Sequence, residues 1–216
     1  ATATNTFTPT ATRTPTATAT STHTPTATLT PTVTFTPSNT ATNTLTFTPS
    51  NTPTVTNTPA PVNSGWISPG ANAAATGGDG NGFQTTAANA YTDNTAFAVD
   101  TDSGNNTNTT CSNTGKDRHV YYTYNVSSIP TGASILGLEV RLDMKVDSTT
   151  GAPQSCVELS WNGGTSWTAA KTSPAFTTSE VTYILGGATD TWGRTWTRSE
   201  LSNLRVRITN VASNNS

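Results

Sequence analysis

Leu138-Glu139-Val140-Arg141-Leu142-Asp143-Met144-Lys145-Val146 alternates apolar and charged residues without a break. A period of two is the signature of a β-strand with one face in a core and the other in water. Glu139, Arg141 and Asp143 then form a solvated sheet face. Outward from this stretch, further strands are expected at residues 95–100, 119–125, 155–161, 181–185 and 204–209, with the quoted strand itself spanning 134–146. Gly/Asn/Thr-rich stretches at 72–81 and 100–110 read as irregular loops. Thr197-Arg198-Ser199-Glu200 has the form of a capping box, so one helical turn is expected before the last strand. No long segment repeats every 3.6 residues. The expected class is all-β, an antiparallel β-sandwich of jelly-roll or immunoglobulin-like type, occupying residues 63–216.

Residues 1–62 are a different polymer. Every even position from 2 to 58 is Thr, except Ser38 and Ser50. Nine of the 13 prolines fall within the first 61 residues, and no acidic residue precedes Asp79. β-Branched Thr is stiff, and Pro interrupts helices and sheet ladders, so an extended N-terminal tail is expected. Thr/Pro-rich sequence of this kind reads as an O-glycosylated stalk. The candidate acceptors are Thr2, Thr4, Thr6, Thr8, Thr10, Thr12, Thr14, Thr16, Thr18, Thr20, Thr22, Thr24, Thr26 and Thr28. They continue with Thr30, Thr32, Thr34, Thr36, Thr40, Thr42, Thr44, Thr46, Thr48, Thr52, Thr54, Thr56 and Thr58. In β geometry these hydroxyls share one face, and the other presents Val33, Phe35, Leu45, Phe47 and Val55. A plain spacer does not need that alternation. Two readings stand: a glycan-bearing stalk, or a strand that docks its odd face in a groove. At about 3.3 Å per residue the tail would reach on the order of 190 Å.

The whole chain has 216 residues, a net charge of −2 and only 10% charged residues. A nucleic-acid binder would carry a basic excess, and no partner of that kind is expected. No run of 18 apolar residues is present, so no membrane span is expected. The start at Ala1 without Met or a signal peptide is that of a processed product.

Cys111 and Cys156 are the only cysteines. An even count in a low-charge, Thr-rich chain favours a disulfide and an extracellular setting; two buried thiols in a cytosolic protein are the alternative. No cofactor is expected, with one qualification: Asp100-Thr101-Asp102-Ser103-Gly104-Asn105 is an oxygen-rich loop, which makes Asp100 and Asp102 candidate ligands of a structural calcium ion. It lacks the terminal Glu of an EF-hand. Glu139, Asp143, Glu158 and Glu180 supply carboxylates for glycosidase chemistry, but their pattern suits a solvated face better. His119 is read as a surface strand residue rather than a catalytic base. Trp192 and Trp196 are the candidate sugar-stacking pair, against core packing as the alternative. Asn105, Asn108, Asn125 and Asn214 open N-x-S/T sequons.

Ser160-Trp161-Asn162-Gly163-Gly164-Thr165-Ser166-Trp167 resembles the Asp-box hairpin, S-x-D-x-G-x-T-W, with Asn162 and Ser166 in place of Asp and Thr. That resemblance implies a structural turn with Trp167 beneath it, not sialidase activity. The segments Ile129-Pro130-Thr131-Gly132-Ala133, Glu158-Leu159-Ser160-Trp161, Leu185-Gly186-Gly187-Ala188-Thr189-Asp190-Thr191-Trp192 and Leu204-Arg205-Val206-Arg207 extend the likeness. Together with the opening stretch they resemble β-sandwich modules of prokaryotic, Chloroflexota-like cell-surface proteins that carry Thr/Pro-rich linkers. Such modules continue into one more apolar strand where this chain reaches Asn214-Asn215-Ser216. Either that strand lies outside these 216 residues or another segment fills its place. The resemblance implies a cell-surface location and a β-sandwich architecture more than an activity. Tail and head together lead to the expectation of a non-enzymatic, extracellular structural subunit that polymerises with itself into a filament or surface layer, its tail adding as a strand to neighbouring copies. The alternative is a stalked carbohydrate-binding module of a cell-surface protein.

Overall fold

The computed structural model describes residues 60–103 and 109–213. The candidate O-glycosylation threonines and Val33, Phe35, Leu45, Phe47 and Val55 lie outside these residues. Among the described residues there are seven strands: β1 (Ala71–Ala75), β2 (Arg118–Tyr122), β3 (Glu139–Met144), β4 (Gln154–Ser160), β5 (Lys171–Thr172), β6 (Val181–Gly186) and β7 (Arg205–Val211). A 3-10 helix spans Ala87–Tyr91, and a single α-helical turn, α1, spans Arg198–Leu201. The strands form two antiparallel sheets, one ordered β1-β2-β7-β4-β5 and one made of β3 and β6. The protein is all-β.

Alternation decides the register. On β7, Val206 and Ile208 are buried, while Arg205 and Arg207 lie on the opposite face. Arg207 stands directly across from Glu158 on β4 and binds it at 2.7 Å. Arg205 stands across from Tyr122 on β2 and stacks on its ring at 4.7 Å. A slip of one residue would drive both guanidinium groups into the core and break every such pair.

One hydrophobic cluster draws on both sheets: Tyr121 of β2, Leu142 of β3, Val157 and Leu159 of β4, Tyr183 and Leu185 of β6, and Val206 and Ile208 of β7. Phe83, Phe176, Trp192, Trp196 and Leu201 fill in from the connections. Each such side chain contributes roughly 1.5–3 kcal/mol on leaving water. The capping box is present: the Thr197 hydroxyl accepts from the Glu200 amide, and the Glu200 carboxylate accepts from the Thr197 amide. That turn seats Leu201 in the core.

Five of the expected strands have counterparts, and the 95–100 stretch does not. Its only ladder contact is an isolated bridge between Thr85 and Val99. Conversely, β1 falls in a stretch read as loop. Its sequence, Ala-Asn-Ala-Ala-Ala, has no apolar alternation to betray it, and it exists because β2 offers an edge.

His119 also corrects an expectation. It is only 2% exposed and lies on the core face of β2 with Tyr121. The Phe83 amide donates to its Nδ1 at 3.0 Å. Nε2 therefore carries the proton and donates to Asn72 Oδ1 at 2.8 Å. The ring stacks on Phe83 at 5.2 Å. Burial pulls the imidazole down to about 4. The unfolded chain binds its proton near pH 6.5, so stability falls as pH drops from about 6.5 to about 4, by about 3 kcal/mol in full. His119→Gln keeps an acceptor and a donor but does not titrate. Chemical denaturation should find its deficit relative to wild type shrinking by that amount between pH 7 and pH 4.

Cys111 and Cys156 form a disulfide, with Cα atoms 5.5 Å apart. Cys156 is fully buried in central β4, so the bond ties the 109–117 segment to the larger sheet. Replacing both cysteines with Ser should cost about 2–4 kcal/mol, read from urea midpoints under oxidising conditions. Reducing agent should then lower the midpoint of the wild type but not of the variant.

Candidate functional site

Three segments meet at the start of β2: the glycine-rich loop 77–84, the turn 100–103, and Lys116-Asp117. Gly78 has φ +57, and a Cβ there would lie 1.9 Å from Asp117 Oδ1, so only glycine fits. The close approach lets the Asp79 amide donate to Asp117 Oδ1 at 3.1 Å. Oxygens of Asp79, Asp102 and Asp117 all lie within 4.8 Å of one another. The Asn81 amide and side chain donate to the two Asp79 oxygens at 3.0 and 2.7 Å. Gln84 Nε2 donates to Asn81 Oδ1 at 2.9 Å and to Asp102 Oδ1 at 2.5 Å. Its Oε1 accepts from the Thr101 amide at 2.8 Å.

Asp79 and Asp102 are exposed, whereas Asp117 is 1% exposed and its Oδ2 meets no donor among the described residues. Burial, then the charges of Asp79 and Asp100, push Asp117 up to about 6. The neighbouring Asp102 carboxyl adds to that rise. Lys116 is fully buried beside Asp117, and its Nζ has no hydrogen-bond partner among the described residues. Burial lowers the Lys116 pKa, opposed by the charges of Asp100 and Asp117.

Of the two aspartates expected at a calcium site, the structure brings Asp102 into this cluster and turns Asp100 away. Asp100 accepts from the Ser103 amide at 2.9 Å and from Asn210 of β7 at 2.7 Å. Asp79 and Asp117 were not expected. They are 38 residues apart and meet only because β1 and β2 pair. The available signal was the run Gly77-Gly78-Asp79-Gly80-Asn81-Gly82, which reads as a chain bent around an acid.

Trp192 and Trp196 do not form a sugar-stacking platform. They are 5% and 2% exposed, and their indole N–H groups donate to the Leu138 and Thr191 carbonyls. They flank a turn rather than sharing a strand, so their even spacing carries no common face. The Asp-box-like segment is a turn as expected. Ser160 Oγ accepts from the Gly164 amide and Asn162 Oδ1 from the Ser166 amide, both at 2.8 Å. Trp167 lies under Gly164, where a Cβ would come within 3.6 Å of the ring. Glu158 and Asp143 sit on different sheets, each bound to an arginine.

Compared with known protein families, curated proteins and solved structures, the chain matches none. Function therefore has to be read from the chain's own surfaces. None of its described helices is long and apolar enough to cross a membrane.

A second feature is the edge of the smaller sheet. Among the described residues β6 pairs with β3 alone, and β5 touches β6 without pairing to it. The strand reads Val181-Thr182-Tyr183-Ile184-Leu185, with no charge and no proline. Ile184 is 52% and Val181 38% exposed. The other edges are guarded differently. β5 is two residues long and carries Lys171, β1 is mostly alanine, and Arg141 on β3 binds Asp93.

Around the hairpin, cations lie over rings. The Arg194 guanidinium sits 4.0 Å from the Trp161 ring centroid and 4.6 Å from that of Trp196, and binds Glu200. Arg207 covers Trp167 at 4.1 Å. A planar guanidinium stacks on two indoles at once, which an ammonium cannot do. Arg194→Lys should therefore lose about 1–2 kcal/mol of stability despite keeping the charge, measured by urea denaturation.

Proposed function

We propose that this chain is an extracellular structural subunit, non-enzymatic, that polymerises into a glycosylated surface filament or layer. In this reading residues 63–216 form a sandwich of jelly-roll or immunoglobulin-like type. The tail of one copy adds as a strand to the next. The observation that carries the reading is the β6 edge, which carries no charge and leaves Val181 and Ile184 exposed. A soluble protein normally blunts such an edge with charge, proline or a cover. The cover proposed is Val33-Thr34-Phe35 or Leu45-Thr46-Phe47 of a neighbouring tail. Both alternate as an added strand must, with main-chain hydrogen bonds giving affinity and the odd side chains giving register.

The even threonines then lie together on one face of the extended sheet, opposite the odd apolar residues, and with that face in solvent sugar on Thr2 to Thr58 meets no steric conflict. Tail and acceptor edge are different surfaces, so the contact is heterologous and extends as an open helical polymer. The disulfide fits an oxidising, extracellular setting. The partners in this reading are further copies of the chain and the covalent glycans.

Electron microscopy of the full chain should show filaments, with tail density crossing neighbouring heads. Deleting residues 1–62 should leave a folded head that does not polymerise; filaments from that truncation would sink the reading. Phe35→Asp with Phe47→Asp should weaken assembly several-fold. Ile184→Lys, at an exposed position, should do the same from the acceptor side with circular dichroism unchanged.

A further inference from the structure

A carboxylate is costly to bury unless a cation, a donor or a proton compensates it. Asp117 is buried, and among the described residues only one of its oxygens has a donor. The adjoining cation acts only at a distance, because the Lys116 ammonium makes no hydrogen bond and no ion pair to it among the described residues. Instead two further carboxylates, Asp79 and Asp102, are brought to within 4.8 Å of Asp117 and of each other. Nor do they drift there by chance of exposure. Gln84 and Asn81 brace both of them in one hydrogen-bonded chain, and Gly78 is the one residue type that lets Asp117 in. A buried carboxylate with one oxygen lacking a donor among the described residues, within 4.8 Å of two braced carboxylates, is a socket for a positive charge.

We propose that Asp79, Asp102 and Asp117 hold a calcium ion. The donors are all carboxylate oxygens, which select a hard cation over zinc or copper. Three carboxylates on two loops and a strand end make an irregular set, which suits calcium's flexible six- to eight-fold coordination better than the strict octahedron of magnesium. Water completes the shell on the exposed side, where Asp79 and Asp102 lie. The ion neutralises Asp117 and clamps the 77–84 loop and the 100–103 turn to the start of β2. The proposal is independent of the polymer reading.

The test uses the full chain, stripped with EDTA, and follows thermal unfolding as CaCl2 is added. The expected result is a saturable rise in Tm of roughly 4–8 °C at 10 mM. Isothermal titration should give one site with a Kd of about 0.1–1 mM, the range of extracellular calcium modules. MgCl2 should give less than half the rise. Asp102→Asn, at an exposed position, and Asp117→Asn should each abolish it, while Glu180→Gln keeps it in full. In EDTA, Asp117→Asn should melt above the wild type, since it removes an uncompensated buried charge. A wild-type Tm unmoved by 10 mM CaCl2, a rise that Asp102→Asn retains, or an equal rise with MgCl2 overturns the proposal. Should Asp117→Asn not fold, Asp102→Asn decides alone.

Discussion

The fold depends on one strand having two unlike faces. β7 lies between β2 and β4 and gives Val206 and Ile208 to the core. Its other face gives Arg205 to Tyr122 and Arg207 to Glu158 and Trp167. Apolar burial supplies most of the free energy, but it is non-directional and would accept several registers. The arginines accept only one. Their partners sit directly opposite in the ladders, so hydrophobic drive and ionic register point to the same alignment. Both neighbours of β7 inherit that alignment, and β1 and β5 inherit it from them.

β2 shows what a strand can do when its inner face changes character along its length. Asp117, His119 and Tyr121 are two residues apart and lie on one side. Asp117 leads into the acidic cluster, His119 bridges Asn72 and the Phe83 amide, and Tyr121 sits in the core. Polarity is graded from one end to the other rather than switched. The cost is two ionisable groups out of water, each pushed toward its neutral form.

Much of the architecture was legible because period two survives in the chain wherever one face meets water. Residues 139–144 announced β3, and Thr197 and Glu200 announced the helical turn. Legibility failed where pairing, rather than pattern, makes the element. Residues 71–75, four alanines and an asparagine, are a strand only because β2 is there. His119 was put on the wrong face because its neighbour Arg118 made the stretch look solvated; the arginine is on the other side. Trp192 and Trp196 looked like a shared face because spacing was read as strand, where the chain turns. The acidic cluster was half legible. Asp102 stood in a recognisable loop, but Asp79 and Asp117 are joined by topology, which single-sequence spacing does not carry.

The cations that lie over rings have an optical consequence. Arg194, Arg207 and Lys171 lie over Trp161, Trp196, Trp167 and Trp192, which leaves Trp66 as the half-exposed exception. Four of the chain's five indoles therefore have excited states that feel a positive charge. Fluorescence will report the loosening of those contacts, whereas heat reports the whole fold. A calorimeter and a fluorimeter following the same sample would then be watching the whole and a part of one molecule, and a gap between their transitions would measure how tightly the two are coupled.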